Sequence, residues 1–430
     1  MTDARQIPVD PESFERLAGQ QLTYRTIDAS SPADAEAFVR ADARGFLDAD
    51  PAADVVEADA AAIADRRNVG VFEAGAAEGS WPVATVNSWL TPLTIPGGEI
   101  DMWAISSVTV SGTHRRRGIA RALLEGELRS AAASGTPVAG LTVSEATIYG
   151  RYGFAPAVPM AAMTIDTRRA GWAAGAPAGR LEYLDKEALR DNLAVLHEVE
   201  RTQRSGQVAG WERRWDRIAG LAPGNPSAAA VRGVRYLDQH GAARGVLAYT
   251  LAEIPGAFRF ELKISLLTAV TDEALVALWG FALQHDLVDK VTADLRPTDD
   301  PLPWLVKDPR GVDVRVHDHG WLRILDVRAA LEARTYRTPL DLVLHIEDPL
   351  GFTSGTWRLT VADGRAKVEA SDAATADATL DIGTLSAMYA GGVSARELLA
   401  AGRLTTTAEI AASLDDAFRA VRAPALSIWY

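Results

Sequence analysis

One stretch, residues 105–154, constrains this chain more than any other. A β-rich run at 105–110 feeds a short turn, Arg115-Arg116-Arg117-Gly118-Ile119-Ala120, and the residues beyond it have helical periodicity. A strand, a basic glycine turn and a helix start, in that order, make a place for a pyrophosphate. The first N–H groups of a helix have no intrahelical partners, and the helix dipole adds partial positive charge there. Together they attract phosphate. Gly118 lets the backbone approach a ligand without a Cβ in the way, and Ala120 is the next smallest choice. Arg115, Arg116 and Arg117 add charge-assisted donors that suit phosphate oxygens. The helix is expected to bury Ile119, Ala122, Leu123 and Leu128, leaving Glu125, Glu127 and Arg129 to water.

Two familiar phosphate motifs are excluded here. The turn contains neither G-x-x-x-x-G-K-[ST] nor G-x-G-x-x-G. A basic helix start with a surface arginine cluster is the plainer reading of the turn taken alone. Residues 138–143 read as a second buried strand, and Ile148-Tyr149-Gly150-Arg151-Tyr152-Gly153-Phe154 follows it. Tyr152 and Phe154 read as core.

The chain has 430 residues, enough for about three domains of ~150 each. It contains no cysteine, which excludes disulfides, thiolate catalysis and cysteine-based zinc sites. The histidines lack H-x-x-x-H spacing, so no metal is expected. A net charge of −13 runs against nucleic acid and suits a cationic substrate such as a polyamine or aminoglycoside, although charge also serves solubility. No apolar run is long enough to cross a membrane, and the first residues lack a secretory core segment. A cytoplasmic protein without a membrane partner is expected.

Three domains are expected, at residues 1–165, 180–315 and 320–430. In the first, residues 23–28, 68–73 and 81–90 read as strands and 32–46 as a helix capped by Ser31. The second repeats that order, with strands at 180–184, 232–238, 245–251 and 258–265 and helices at 186–201 and 271–285. Its turn, residues 267–273, has neither arginine nor glycine and opens its helix with Asp272 and Glu273, which would repel pyrophosphate. In the third, strands at 340–347, 355–362, 365–369 and 378–382 and helices at 384–390, 394–401 and 408–420 make an α+β module. Gly364 marks the turn between its second and third strands.

The R-x-x-G-x-A turn after a strand, with the Tyr149-to-Phe154 close, resembles the GNAT acetyltransferase superfamily. The likeness narrows further. Ser106-Ser107-Val108-Thr109-Val110, Thr113-His114-Arg115-Arg116-Arg117-Gly118, Ser144-Glu145, Ile148-Tyr149-Gly150-Arg151, Ala277-Leu278-Trp279, Asp300-Pro301-Leu302-Pro303 and residues 322–334 are similar to the enhanced intracellular survival (Eis) family across essentially the full chain. The implied fold is α/β and α+β: two GNAT-like domains in tandem, the second without a CoA turn, and a sterol-carrier-protein-like C-terminal domain.

The resemblance implies an acetyl-CoA-dependent N-acetyltransferase. Acetyl-CoA would lie on Val108, Thr109 and Val110, on Arg116, Arg117, Gly118, Ile119, Ala120 and Arg121, and on Ser144 and Glu145. The Val108 N–H would polarise the thioester carbonyl. Tyr149 would protonate the departing thiolate, which a phenol near pKa 10 and a thiol near 8.5 make feasible; packing beside a helix end is its other reading. The terminal carboxylate, on Tyr430, would be the base, although the closing aromatics also suit simple docking, and Trp429 departs from the family pattern. Asp48, in an acid-rich run that also reads as a solvated face, and Ser107 are candidate substrate contacts. Without cysteine, acetyl passes directly to the amine in a ternary complex. Family members form hexamers, and some acetylate aminoglycosides. A lysine acceptor in a protein or peptide, and a hydrophobic-ligand module with a vestigial CoA site, remain as alternatives.

Overall fold

The computed structural model describes residues 3–430. Helix α1 (Pro11–Ala18) starts where Asp10 accepts from the Ser13 N–H and Pro11 opens the first turn. Strand β1 (Leu22–Thr26) follows, then α2 (Pro32–Gly45), begun by Ser31 in the same way, and α3 (Ala53–Ala62). Neither α1 nor α3 is expected from the sequence; α3 has no side-chain cap and only Val56 buried, so its pattern carries no apolar stripe. Next come β2 (Arg67–Glu73), β3 (Ala84–Ile95), β4 (Gly98–Val110), α4 (Ile119–Ala133), β5 (Val138–Thr142) and α5 (Ala146–Tyr149).

The middle of the chain runs through β6 (Ala155–Asp166), α6 (Thr167–Ala170), β7 (Arg180–Leu184), α7 (Lys186–Arg201), α8 (Glu212–Ala219), β8 (Arg232–Leu237) and β9 (Ala243–Glu253). It continues with β10 (Phe260–Ala269), α9 (Asp272–Leu283), β11 (Val288–Pro297), α10 (Leu302–Leu305) and β12 (Val312–Ile324). The last part holds α11 (Val327–Ala333), β13 (Leu340–Glu347), β14 (Gly355–Ala362), β15 (Arg365–Ala370), β16 (Ala378–Asp381), α12 (Ile382–Tyr389), α13 (Ala395–Ala400), β17 (Leu404–Thr405) and α14 (Ala408–Phe418).

These elements form two compact units. One comprises residues 1–158, 319–421 and 430, the other residues 159–318 and 422–429. In the first unit the main sheet runs β1-β2-β3-β4-β5, and β5 pairs on its far side with the end of β12, Gly320 through Ile324. Its core gathers Val69, Val71, Val86, Trp103, Leu123, Leu128 and Leu141. The same unit carries the five-stranded sheet β15-β14-β13-β16-β17. There Asp363 and Gly364 both take left-handed backbone, at φ 51° and 74°, which closes a tight β14–β15 hairpin.

The second unit repeats the first topologically. Strands β7-β8-β9-β10-β11 pair in that order, β10 and β11 are parallel with α9 between them in sequence, and β10 bulges between Ile264 and Leu266. At the start of α9, Thr271 accepts from the Ala274 N–H and Asp272 and Glu273 stand in the first turn. That helix start is already capped and negatively lined.

Helix α4 departs from the expected division of its faces. Glu127 is wholly buried, accepts from Ser88 Oγ at 2.5 Å and Trp103 Nε1 at 3.2 Å, and sits 3.4 Å from Nε of the equally buried Arg67. Glu125 is buried between Arg16 and Arg121, with ion-pair distances of 2.9 and 2.7 Å. Arg129 is half-buried and bridges Asp10 at 2.8 Å. The expectation that these three face water is wrong. Helix α4 is covered by α1 on one side and the sheet on the other, so its polar residues must find protein partners instead.

Candidate active site

Strand β4 pairs with β3 over its whole length but meets β5 only from Met102 to Ala104, opposite Val138 to Gly140. Beyond Ala104 the two parallel strands share no further pairs, and the second half of β4 borders an open wedge. Within that half lies a bulge. Thr85 pairs with Thr109 and Asn87 with Ser106, so Val86 alone opposes both Ser107 and Val108. Ser107 takes left-handed backbone, φ 54°, and Thr85 Oγ1 donates to its carbonyl at 2.8 Å. Val108 and Val110 are half-buried and Thr109 is buried.

The turn after β4 bends through Arg116 (φ 64°) and Gly118 (φ 76°), and Gly118 is the residue before the first turn of α4. No side chain caps that helix, no acid stands in its first turn, and a Cβ on Gly118 would meet open space. The arrangement fits a pyrophosphate: free N–H groups, positive dipole end, and room. Arg116 and Arg117 are exposed, with Arg117 Nη2 donating to the Gln20 carbonyl at 3.2 Å. Arg121 is exposed too, although Glu125 holds it. Ile119 is anchored in the core and Ala120 is half-buried, so their backbone is what they can offer.

Past β5, Ser144 and Glu145 are exposed. Tyr149 is buried, with its ring edge-on to Phe154 at 6.3 Å between centroids. Burial holds its phenol above the ordinary tyrosine range; the charge of Glu145 adds to this and a hydrogen bond with Ser144 opposes it. Tyr149 therefore keeps its proton at neutral pH and can serve as an acid. Tyr152 and Phe154 lie in the core, as expected.

Tyr430 also belongs to this unit. Its main-chain oxygen accepts from Thr142 Oγ1 at 2.5 Å, and its ring meets Trp89 edge-on at 5.7 Å. Its hydroxyl lies 3.0 Å from where a Cβ on Gly140 would stand, so the absence of a side chain there makes room for the ring. Burial raises its phenol above the usual range. The last strand to border the wedge thus bonds Tyr430 and leads into the turn bearing Tyr149.

Several residues at this site escape the sequence reading. Arg66 stacks over Trp89 at 3.8 Å, and its Nη1 donates to Asn87 Oδ1 at 3.3 Å. Desolvation brings its guanidinium down to about 10. The alternation Thr85, Asn87, Trp89 on one face of β3 was the available signal. Asp48 is exposed beyond the end of α2. The carboxylate that reaches β4 is instead Asp42, whose Oδ2 accepts from Ser107 Oγ at 3.3 Å. Burial pushes the Asp42 carboxyl up to about 7; the Ser107 hydrogen bond pulls the other way, and the charges of Asp48 and Asp59 add to the rise. Among the described residues no group of three or more His, Asp or Glu could hold a metal ion, and no helix is long and apolar enough to cross a membrane.

Family models match three stretches. Residues 26–157 and 206–324 each match a GNAT acetyltransferase domain, and residues 327–427 match a sterol carrier protein domain. An uncharacterised N-acetyltransferase of Streptomyces avermitilis is 36% identical over 410 residues, covering 91% of this chain and 95% of that protein. The N-acetyltransferase Eis of Mycobacterium tuberculosis is 33% identical over 362 residues, covering 81% of this chain and 86% of that protein. Among solved structures, Eis1 of Mycobacterium abscessus superposes with a TM-score of 0.80 at 30% identity, covering 95% of this chain and 100% of that one. With two GNAT domains in tandem, a sterol-carrier domain behind them and relatives matched over most of their length, this chain belongs to the Eis family of N-acetyltransferases.

Proposed function

We propose that this enzyme transfers acetyl from acetyl-CoA to an amino group of a cationic small molecule, polyamine-like or aminoglycoside-like, by direct attack. One observation carries the reading. The β4–β5 wedge adjoins an uncapped, acid-free helix start, and β5 leads straight to a buried phenol. Acetyl-CoA supplies the activated thioester. The backbone of Val108, Thr109 and Val110 orients it, with Arg116, Arg117, Gly118, Ile119, Ala120 and Arg121 along the pyrophosphate and Ser144 and Glu145 at the arm. The Val108 N–H stabilises charge on the thioester oxygen.

An acceptor ammonium, with a pKa of about 9 to 10, must shed a proton before it attacks. The terminal carboxylate of Tyr430 takes it. Such a group has a pKa of about 3.5 in water, so it needs water excluded from the bound complex to act as the base. The neutral amine attacks the thioester carbon, the C–S bond breaks as Tyr149 donates its proton to the sulfur, and the second proton of the attacking nitrogen restores the phenol. Asp48 contributes long-range attraction for a cation rather than a contact at β4, which its exposure supports. A cytoplasmic homo-hexamer is part of the same proposal, and light scattering of the purified protein measures the assembly.

The deciding assay follows acetyl-CoA consumption with spermidine, kanamycin and a lysine peptide as acceptors. Turnover of spermidine or kanamycin is the expected result. Turnover of the peptide alone overturns the acceptor class, and failure to bind acetyl-CoA overturns the whole reading. A second test appends a few residues after Tyr430. Activity should fall about 100-fold or more while acetyl-CoA binding persists, because a positioned base contributes on that order. A fully active extended protein would remove the terminal carboxylate from the mechanism.

A further inference from the structure

The bulge of β4 is held from behind by a carboxyl group that the proposed chemistry does not use. Asp42 and Gly45 lie three residues apart on α2 and so share a face of the helix. At Gly45 the helix comes so close to β4 that a Cβ would stand 2.3 Å from Thr109 Cβ. This contact brings Asp42 against the strand. Its Oδ2 accepts from Ser107 Oγ at 3.3 Å, while its Oδ1 is buried without a hydrogen-bond partner. Around Ser107 the other polar groups are engaged. Thr85 Oγ1 donates to the Ser107 carbonyl at 2.8 Å and lies 2.7 Å from Thr109 Oγ1.

Two costs coincide here. Ser107 is a non-glycine residue in left-handed backbone, which stores strain. Oδ1 of the half-buried Asp42 is shielded from water without a hydrogen-bond partner, which buried polar atoms seldom are. Strained backbone and an unmet buried polar group together mark a place that the surrounding structure over-determines.

We propose that Asp42 is a positioning residue for acetyl transfer: acting through Ser107, it holds the β4 bulge in the shape that presents the Val108 N–H to the thioester. This rests on the assignment of the thioester to β4 made above. Asp42 touches no reacting atom. Its neighbours are Ser107 on β4, Thr85 on β3 and, through space, Asp48 after α2 and Asp59 on α3. The raised carboxyl agrees with that setting, since no cation is among the groups that act on it.

The test compares Asp42→Ala, Asp42→Asn, Ser107→Ala and the double alanine variant. Each is assayed for kcat and KM with acetyl-CoA and the acceptor identified by the panel above, and for acetyl-CoA affinity by titration. Wild-type turnover and affinity come first, so that failure of the acetyl-CoA reading shows itself separately. Asp42→Ala should lower kcat about tenfold or more and leave KM for acetyl-CoA within about twofold, since misplacement of a catalytic group by a fraction of an ångström costs on that order. Asp42→Asn, whose amide oxygen still accepts from Ser107, should recover most of the activity. Ser107→Ala should match Asp42→Ala, and the double variant should lose no more than either. Unchanged kcat in Asp42→Ala, a failed rescue by asparagine, or losses that multiply in the double variant would each overturn the proposal. Should Asp42→Ala not fold, the asparagine and Ser107→Ala variants decide: asparagine active and Ser107→Ala impaired supports it, and any other pairing overturns it.

Discussion

Replacing Tyr149 by phenylalanine is expected to lower kcat about 100-fold or more, with acetyl-CoA affinity unchanged. A positioned general acid contributes roughly 10² to 10⁴ in rate, so loss of the hydroxyl alone removes on the order of 3 kcal/mol of transition-state stabilisation. The ring remains, and with it the edge-on contact to Phe154, so the fold should be undisturbed. The pH profile adds a second check. Burial raises the Tyr149 phenol, so the residue holds its proton through neutral and mildly alkaline pH. The acid is thus available throughout the neutral range, and a fall in kcat there comes from another group. Measurement of kcat and of acetyl-CoA binding in the two proteins settles the matter; equal turnover would leave Tyr149 a packing residue.

A second large effect is expected on stability. Glu127→Ala should destabilise the protein by about 3 to 5 kcal/mol, because it leaves the Arg67 guanidinium charged and buried without its carboxylate. Ser88 Oγ and Trp103 Nε1 lose their acceptor as well. Arg67 would retain its donations to the Ile7 and Pro8 carbonyls, at 2.7 and 3.3 Å, which hold it in place but do not neutralise it. Thermal unfolding should shift down by several degrees. The paired change Arg67→Met with Glu127→Leu removes both charges, and it should recover much of the loss. If the single variant melts like the wild type, the buried pair contributes nothing that solvent cannot replace.

The two effects differ in how visible their residues are in the chain. Tyr149 sits in a local pattern, a strand followed by Ile-Tyr-Gly-Arg, and its place beside the wedge follows from that order. Glu127 has helical neighbours of ordinary polarity and reads as a surface residue. Its partners, Ser88, Trp103 and Arg67, lie 24 to 60 positions away, and only the packing of α4 against β2, β3 and β4 brings them within reach. Asp42 is hidden in the sequence for the same reason, because its partner Ser107 lies 65 positions away.

What the sequence by itself determined was the local and periodic part: the arginine–glycine turn at Gly118, the strands β1, β2 and β7 to β10 with helices α2, α4, α7 and α9, the acid-lined start of α9, and the hairpin strands with α12, α13 and α14 of the sterol-carrier domain. Each of these depends on residues within a few positions of one another, through capping, turn geometry and alternation. Only the tertiary structure decided the bulge at Ser107, the carboxyl of Asp42 behind it, the contacts of Trp89 with Arg66 and Tyr430, and the burial of Glu125 and Glu127. Desolvation and hydrogen bonding across a sheet depend on which distant segments exclude water from a group, and a linear pattern does not carry that information.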